Sequence, residues 1–310
     1  MPRVPTLTVD AELTGSRREQ VERLVAAAHT TDGFAALNEA AMLQLRHRDS
    51  GVLHLCAVES DRLVGYAQLD PGHVSTGFVV VDPAYRRRGI GERLVRALAE
   101  QATTPLQLWA PGDTPEARAL AAQIGLLAVR TLLVMTRRLD EDLPEPHVPT
   151  GITIRSFQPG RDEQAWLAVN AEAFAGHPEQ GGMTEADLAA RMDEPWFDAA
   201  GFFVAMRAQT PGTEDHGDQM VGFHWTKRHG NHLGEVYVLA VSPSVGGRGL
   251  GKALLLTGLW HLRQQGDTEV KLYVEADHSD AVGLYRDYGF TTASRDVMYA
   301  QRPIRARQES

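Results

Sequence analysis

The chain has 310 residues, of which 43% are hydrophobic and 23% charged, and its formal net charge is −9 at pH 7. This composition indicates a globular rather than a disordered protein, and the length suggests two domains of ~100–200 residues each. The negative charge argues against nucleic acid or an anionic membrane as the main partner, and the single cysteine, Cys56, excludes an internal disulfide or a zinc site built on several cysteines.

The first twenty residues, MPRVPTLTVDAELTGSRREQ, contain no apolar stretch of the kind found in a secretory signal. No apolar run elsewhere approaches the ~18–20 residues needed to cross a bilayer. We therefore expect a soluble, cytoplasmic protein.

A glycine-rich turn between a buried strand and a helix is the first informative motif. Residues 77–91 read GFVVVDPAYRRRGIG, and the helical pattern ERLVRALAEQ follows, then a strand-like run at 106–110. Glycine lets the backbone approach a ligand, and the first amides of the following helix lack intrahelical acceptors. The motif therefore predicts a cradle for phosphate or pyrophosphate, with positive charge from Arg86, Arg87 and Arg88.

An acidic segment with three prolines separates two halves of the chain. Residues 137–151 read RRLDEDLPEPHVPTG, which predicts a stiff, solvated linker. After it GITIRSF predicts a strand, and DEQAWLAVNAEAF has the periodicity of an amphipathic helix. We expect an N-terminal domain at 1–139, a proline-rich linker at 140–150 and a C-terminal domain at 151–310.

The C-terminal half repeats the motif of the first. Residues 237–251 read YVLAVSPSVGGRGLG, and the proline and the Arg-Gly pair match those of the first motif at one constant spacing. A helical pattern, a strand-like run, a second helix and a closing strand follow each motif in the same order. We therefore predict an α+β fold in which each half carries a mixed sheet.

Two other phosphate-binding fingerprints do not fit these turns. Neither turn contains the G-x-G-x-x-G of a Rossmann dinucleotide site. The string GGRGLGKA approaches a P-loop, but Ala253 lacks the hydroxyl that binds magnesium. Taken alone, either turn could also be a plain strand-to-helix connection without a ligand.

Further signals accompany the turns. An Asp-Pro or Ser-Pro pair lies at each strand end, and the second half continues to the string LYRDYGF at 284–290. This combination resembles the GNAT superfamily of acyl-CoA N-acyltransferases, which implies two tandem GNAT domains that use acetyl-CoA. Gly246 stands where the family usually has Arg or Gln, whereas the first half has Arg86. The strings LNEAAM, HPEQG, FHWTKRH and GEVYVLAVSP extend the resemblance to the mycothiol synthase family over nearly the whole chain.

This resemblance implies a specific reaction. The mycothiol synthase family uses acetyl-CoA to acetylate the cysteinyl amine of 1D-myo-inositol 2-(L-cysteinylamino)-2-deoxy-α-D-glucopyranoside, and the product is mycothiol. Two alternatives stay open: a tandem GNAT enzyme for another amine, such as an aminoglycoside or a peptide N-terminus, and a non-catalytic acyl-CoA sensor. We expect a monomer whose partners are acetyl-CoA and a small-molecule substrate.

Acetyl transfer to an amine requires a base for the amine proton, a donor to the thioester oxygen and an acid near the leaving thiolate. Glu235 lies on the strand GEVYVLAV, where it alternates with Tyr237 and Leu239 on one face, and we predict that it is the base. Tyr285 lies four residues before Gly289, and we predict that it is the acid. A surface carboxylate and a packed core tyrosine are the plain alternatives.

The first half has lost both candidate proton-handling groups. The matching positions are Ser75 and Ala121. Neither can fill these roles unaided, so we predict that only the C-terminal domain catalyses. Cys56 lies away from both motifs and is a poor candidate nucleophile.

The resemblance also implies coenzyme contacts in both halves. A backbone N–H of Leu239 or Ala240 would bind the acetyl carbonyl, and Val241 would pair with the pantetheine arm. Further contacts in the second half would be Gly246, Gly247, Arg248, Gly249, Leu250, Gly251, Lys252, His278, Ser279, Asp280, Ala281, Val282 and Gly283. In the first half they would be Val79, Val80, Val81, Arg87, Arg88, Gly89, Ile90, Gly91 and Glu92. The family usually carries Asn at the position of His278.

Substrate contacts are implied as well. They would be made by Glu39, Glu179, Lys227, Glu235 and Tyr273. A polyol that carries an amine and a thiol needs converging polar groups, which loops and strand ends supply here. Glu179 and Lys227 could equally be solvated surface groups.

We expect no metal site. The histidines of the second half lack the spacing typical of zinc ligands, at His216, His224, His229 and His232. The single cysteine offers no second thiolate.

Overall fold

The computed structural model describes residues 4–46, 51–72, 74–176, 180–208, 218–245 and 249–301. These residues form twelve β-strands and eight α-helices in two compact units. Unit 1 comprises Met1–Leu133, Glu275–Asp277 and Ser294–Ser310, and unit 2 comprises Val134–Val274 and His278–Ala293. Each unit therefore takes a closing segment from the other half of the sequence. The limits at 139 and 151 for the two sequence repeats stay a prediction.

A mixed sheet forms the centre of unit 1. Its strands are β1 (Thr6–Asp10), β2 (Leu53–Glu59), β3 (Arg62–Asp70), β4 (Thr76–Val81), β5 (Gln107–Ala110) and, from the end of the chain, most of β12 (Thr291–Gln301). They lie in the order β1-β2-β3-β4-β5-β12. The first four are antiparallel, β5 is parallel to β4, and β12 is antiparallel to β5.

The helices of unit 1 are α1 (Gly15–Asp32), α2 (Glu39–Arg46), α3 (Ile90–Gln101) and α4 (Pro115–Gln123). α3 begins directly after Gly89, whose φ of 75° lies in the left-handed region that favours glycine. The helical period places its buried residues on one face, and these are Ile90, Leu94, Val95 and Leu98. Each such aliphatic side chain contributes ~1.5–3 kcal/mol when it leaves water.

Unit 2 repeats this arrangement. Its strands are the end of β6 (Leu126–Arg138), β7 (Ile152–Ser156), β8 (Phe202–Arg207), β9 (Gln219–Arg228), β10 (Leu233–Val241) and β11 (Glu269–Glu275). Its helices are α5 (Glu163–Ala173), α6 (Glu185–Met192), α7 (Leu250–Gln264) and α8 (Ser279–Asp287). The strands lie in the order β6-β11-β10-β9-β8-β7; the four strands from β7 through β10 pair antiparallel with their neighbours, and β10 pairs parallel with β11. The predicted order of strand, turn, helix, strand, helix and closing strand is confirmed in both halves, as β4-α3-β5-α4-β6 and β10-α7-β11-α8-β12.

Helices cover both faces of the unit 2 sheet. On β9, Trp225 packs against Trp166 of α5 with ring centroids 6.0 Å apart, whereas the neighbouring His224 bonds to Leu254 of α7. Because adjacent strand residues point to opposite faces, α5 and α7 lie on opposite faces. The amphipathic helix predicted at DEQAWLAVNAEAF is confirmed as α5. Among the helices of the described residues, none has the length and apolarity that crossing a membrane requires.

The segment predicted as a solvated linker is held against unit 2. Leu143 is buried, and the Pro144 carbonyl accepts a hydrogen bond from Trp260 Nε1 at 2.8 Å. Arg137 Nη2 donates to the Asp142 carbonyl at 3.2 Å. Most residues of 140–150 are exposed, as expected of a solvated linker, but Leu143 near its start is buried.

Candidate active site

The glycine-rich turn of unit 1 lies beside an opening in its sheet. β4 and β5 pair only at Thr76↔Gln107 and Gly77↔Leu108, although β4 continues to Val81. Beyond this pairing a cleft of about 540 Å³ opens next to the start of α3. The cleft brings together all coenzyme contacts expected in this half except Arg88, namely Val79, Val80, Val81, Arg87, Gly89, Ile90, Gly91 and Glu92.

Two arginines of the RRRG string are engaged within unit 1. Arg88 pairs with Glu59 at 2.8 Å, and the structure does not bring it into the cleft. Arg86 does line the cleft, but its Nη1 and Nη2 atoms each lie 2.7 Å from a carboxylate oxygen of Asp32. The positive charge expected at this turn is therefore partly neutralised inside the unit.

The positions in unit 1 that match the expected base and acid carry no proton-handling group. Ser75 is buried, and its Oγ lies 3.1 Å from Thr104 Oγ1. Ala121 lines the cleft with a methyl group. Tyr299 of β12 also lines the cleft, and its hydroxyl donates to Asp113 at 2.7 Å. Ser75 therefore makes hydrogen bonds inside the fold, and Ala121 forms part of the cleft wall.

Unit 2 shows the same separation of strands. β10 and β11 pair from Leu233↔Glu269 to Val236↔Leu272, and β10 then continues to Val241 without that partner. This stretch, the unpaired end of β10, contains the expected coenzyme contacts Leu239, Ala240 and Val241. Backbone groups on its open edge are available to a ligand that adds to the sheet.

The described part of the second glycine-rich turn is the start of α7. Gly249 caps the helix with a φ of 80°, Leu250 is buried in the core, and Lys252 is exposed. A Cβ atom on Gly251 would lie 3.8 Å from Val241 Cγ2, so the first turn of α7 lies beside the unpaired end of β10. Three expected contacts lie outside the described residues, namely Gly246, Gly247 and Arg248.

The last group of expected coenzyme contacts forms the start of α8. His278 is the N-cap residue, and its side chain makes no capping hydrogen bond. The amides of residues 279–281 lack intrahelical acceptors, since Val282 N is the first to bond, to the His278 carbonyl at 3.1 Å. The range from His278 to Gly283 is therefore a helix start whose amides can receive an anion.

A β-bulge changes the face on which part of β10 lies. Val236 pairs with Thr226 and Val238 pairs with Trp225, so Tyr237 is the extra residue of the bulge. After the bulge Leu239 packs with the α7 side of the core, whereas Tyr237 packs with the aromatic residues on the α5 side. The prediction that Leu239 shares a face with Glu235 and Tyr237 is therefore wrong, because the bulge shifts the alternation by one residue.

Glu235 is 7% exposed, and its carboxylate contacts two basic side chains. Oε2 lies 2.5 Å from His229 Nε2 and 3.6 Å from Lys271 Nζ. Burial alone raises the pKa of this carboxyl, but the His229 hydrogen bond and the charges of Lys271, His229 and Lys227 outweigh burial and lower the net pKa. Glu235 is therefore a carboxylate at neutral pH. Its Oε1 atom makes no hydrogen bond within the described residues and is left for a ligand.

Two expected substrate contacts flank Glu235 on unit 2. Lys227 is its partner on β9, and Lys227 Nζ lies 4.2 Å from the centre of the Trp196 ring. Tyr273 on β11 is 43% exposed and lies beside Lys271, with 5.5 Å between Lys271 Nζ and the ring centre. These side chains form a polar face around the carboxylate.

The other two expected substrate contacts are not brought to this face by the described part of unit 2. Glu39 is the first residue of α2 and belongs to unit 1. Glu179 lies outside the described residues. Their roles stay predictions.

Tyr285 lies near the end of α8 and is 8% exposed. Its ring packs edge-on against Phe290, with 5.7 Å between ring centres. Burial raises the pKa of the phenol to about 12, so the hydroxyl keeps its proton at neutral pH. Because the hydroxyl has no hydrogen-bond partner among the described residues, it is able to donate to a ligand.

Sequence reasoning missed three residues of these sites. Lys271 faces Glu235 only through the β10–β11 register, and His229 reaches it only because the chain turns back between β9 and β10. Asp32 lies 54 residues before its partner Arg86. The basic string FHWTKRH was a signal for His229, but contacts made across strands were not readable from the string itself.

Within the described ranges, no group of three or more His, Cys, Asp or Glu side chains could hold a metal ion. His216 lies outside those ranges. Cys56 is buried, and burial raises the pKa of its thiol to about 11. A thiol that keeps its proton is inert as a nucleophile.

The sequence matches the model of the acetyltransferase (GNAT) family at residues 19–126 and 166–290. These two stretches contain both glycine-rich turns and the strands that separate beside them. The chain belongs to the GNAT acetyltransferase family and is an N-acetyltransferase, a class that uses acetyl-CoA as co-substrate. The alternative of a non-catalytic acyl-CoA sensor is therefore not kept.

Two relatives are similar over nearly the whole length of the chain. The mycothiol acetyltransferase of Thermomonospora curvata is 50% identical over 295 residues, which cover 94% of this chain and 96% of that protein. The mycothiol acetyltransferase of Thermobispora bispora is 46% identical over 301 residues, which cover 95% and 99%. Within the GNAT family, the chain belongs with the mycothiol acetyltransferases.

Solved structures confirm the predicted tandem GNAT fold. A GCN5-related N-acetyltransferase from Sphaerobacter thermophilus is 25% identical, with a TM-score of 0.69 and coverage of 96% of both chains. A tandem GNAT protein from the clavulanic acid biosynthesis pathway is 21% identical, with a TM-score of 0.73 and coverage of 95% of this chain and 98% of that one.

Proposed function

We propose that this chain transfers the acetyl group of acetyl-CoA to the cysteinyl amine of 1D-myo-inositol 2-(L-cysteinylamino)-2-deoxy-α-D-glucopyranoside, which completes mycothiol. The observation that carries the proposal is the buried carboxylate of Glu235 on the polar face of unit 2, between Lys227 and Lys271. The choice of substrate is supported by identity of 46–50% to mycothiol acetyltransferases over nearly the whole chain.

Acetyl-CoA supplies the acyl group as a thioester, and unit 2 has the groups to hold it. The unpaired end of β10 offers backbone amides to the thioester oxygen, where negative charge develops during transfer. The starts of α7 and α8 offer further amides to the phosphates, and the exposed Lys252 adds a positive charge. We assign coenzyme binding for catalysis to these elements.

Glu235 is the base in this proposal. The amine must lose a proton before it attacks, because an ammonium ion has no lone pair, and Oε1 is the atom available to accept that proton. A lowered pKa makes Glu235 a weak base by itself. However, Lys227 and Lys271 also disfavour a further positive charge beside them, so they lower the pKa of a bound amine as well. The second effect offsets the first, because an ammonium ion of lower pKa gives up its proton to a weaker base.

Tyr285 is the hydrogen-bond donor to the departing sulfur. Its buried phenol keeps its proton at neutral pH, and its hydroxyl is not used by the described residues. A thiolate has a conjugate acid with a pKa of ~8.5 and leaves without full proton transfer, so donation of a hydrogen bond is sufficient help.

We further propose that unit 1 binds a second coenzyme molecule without catalysing. The support is the cleft of about 540 Å³ beside its glycine-rich turn, together with Ser75 and Ala121 at the positions of the base and the acid. We propose that the enzyme acts as a monomer, since the assigned base, acid and coenzyme contacts all come from one chain. We also assign it to the cytoplasm and assign no metal to its reaction.

The test is mass spectrometry of the product after incubation of the full chain with acetyl-CoA and the cysteinyl pseudo-disaccharide. We expect one acetyl group, located on the cysteinyl nitrogen by fragmentation. Aminoglycosides and a peptide with a free N-terminus are the comparison amines. A higher kcat/KM for one of them would replace the proposed substrate, and acetyl transfer to none of the amines would overturn the proposal.

A further inference from the structure

The carboxylate of Glu235 is held on one side only. Its Oε2 atom is bonded to His229 and approached by Lys271, whereas Oε1 has no partner among the described residues. An ionised carboxylate accepts hydrogen bonds and cannot donate them, so His229 Nε2 carries the proton of this contact. The charge-assisted bond at 2.5 Å therefore fixes which oxygen is free.

The backbone around His229 is itself fixed. The amide of His229 donates to the Leu233 carbonyl at 2.9 Å, and the amide of Leu233 donates to the Gly230 carbonyl at 3.0 Å. Asn231 and His232 adopt φ values of 50° and 61°, in the left-handed region that non-glycine residues rarely occupy. Such strain persists only where the surroundings determine the conformation. The turn between β9 and β10 thus holds the imidazole against the carboxylate.

We propose that His229 is the positioning residue for Glu235: by holding Oε2, it presents Oε1 alone to the substrate amine. This inference rests on the proposed function, because it assumes that Glu235 is the base. His229 acts through Glu235 and has no contact with substrate of its own in this assignment.

Two lysines complete the charged surroundings of Glu235. They are Lys227 from β9 and Lys271 from β11, whereas Arg228 turns to the other side of β9 and pairs with Asp267 at 2.8 Å. Lys271 Nζ lies 3.6 Å from Oε2, beyond the usual length of a hydrogen bond, so the bond from His229 is the one that orients the carboxylate.

Two substitutions test the hydrogen bond. His229→Ala removes it, whereas His229→Gln keeps an N–H donor at the same position. For His229→Ala we expect kcat to fall on the order of 10- to 100-fold, the size of a misplaced catalytic group, with the Kd for acetyl-CoA unchanged. For His229→Gln we expect most of kcat to return, because the donor to Oε2 is retained.

The matched control is His232→Gln in the same turn, where the native ring bonds the Gly266 carbonyl at 2.8 Å and does not touch Glu235. We expect its kcat to match that of the wild type. A further readout is the double variant with Glu235→Gln, in which loss of His229 should cost nothing more if it acts through the carboxylate.

The outcomes distinguish this inference from the proposed function. Wild-type turnover of the cysteinyl amine, together with an unchanged kcat in His229→Ala, would overturn the role of His229 alone. An additive loss in the double variant would also overturn it. Lack of wild-type turnover with every amine would instead overturn the proposed function.

Discussion

Arg86 and Asp32 form a bidentate ion pair in which Nη1 and Nη2 of the arginine each lie 2.7 Å from a carboxylate oxygen. The hydrogen bonds to Asp32 are the main cause of the raised pKa of Arg86. Both residues line the cleft of unit 1. An anionic ligand in this cleft therefore meets a carboxylate and an arginine that is already neutralised.

Asp32→Asn is expected to strengthen the binding of acetyl-CoA to unit 1. The substitution removes the carboxylate and frees the guanidinium to bind phosphate. We expect Kd to fall about fivefold, which corresponds to the interaction energy of ~1 kcal/mol between unit charges 4 Å apart in water. Isothermal titration calorimetry on the full chain measures both sites. Glu59→Gln is the control, because it frees Arg88 outside the cleft and should change neither Kd. Weaker binding in Asp32→Asn would contradict the argument.

Glu235→Gln is expected to lower kcat at least ~100-fold, the lower range for a positioned general base. The amide keeps the shape of the carboxylate and can still contact His229, but it cannot accept the amine proton. Steady-state kinetics with saturating acetyl-CoA provide the measurement. Turnover close to that of the wild type at saturating amine would exclude Glu235 as the base.

Tyr285→Phe is expected to lower kcat by about tenfold or less, a smaller loss than that of the base. The ring still packs against Phe290, so the fold is retained, and only the donor to the sulfur is lost. Because the pKa of the phenol is about 12, deprotonation of Tyr285 does not lower the rate below pH 10. The variant should therefore keep the basic side of the wild-type pH–rate profile. A profile that loses a basic ionisation in Tyr285→Phe would show that the phenol titrates in that range.

Ser75→Ala is expected to change stability without changing turnover. The backbone amide of Ser75 donates to Thr104 Oγ1 at 2.7 Å, and the backbone amide of Thr104 donates to Ser75 Oγ at 3.2 Å. Loss of the hydroxyl should cost about 1 kcal/mol of the free energy of unfolding. Denaturant unfolding and steady-state kinetics on the same preparation separate the two effects. Loss of kcat in a folded Ser75→Ala protein would contradict the assignment of catalysis to unit 2 alone.

The sequence predicted what is local and missed what depends on pairing. The glycine-rich turns were readable because Gly89 and Gly249 take positive φ at a helix start, a requirement of a single position. The bulge at Tyr237 was not readable, since it exists only in the register between β9 and β10. The contacts of Glu235 with His229 and Lys271 depend on the same register and on the turn before it. The strand pattern and the repeat spacing therefore singled out Glu235 but not its neighbours.

Because of His224, the free energy of unfolding is expected to decrease as the pH is lowered from 6.5 to 4. It is buried against Gly258 and donates through Nδ1 to the Leu254 carbonyl at 2.7 Å, and burial lowers its pKa from 6.5 to about 4. Between these two values the unfolded chain binds a proton that the folded chain does not, so stability decreases as the pH falls, by about 3 kcal/mol at most. His224→Asn keeps a donor but cannot titrate, and it should flatten this dependence whatever its cost at neutral pH. His261→Gln is a comparison, because its pKa is also lowered by burial but it is less enclosed. Urea unfolding at several pH values measures the slope, and an unchanged slope in His224→Asn would contradict the assignment.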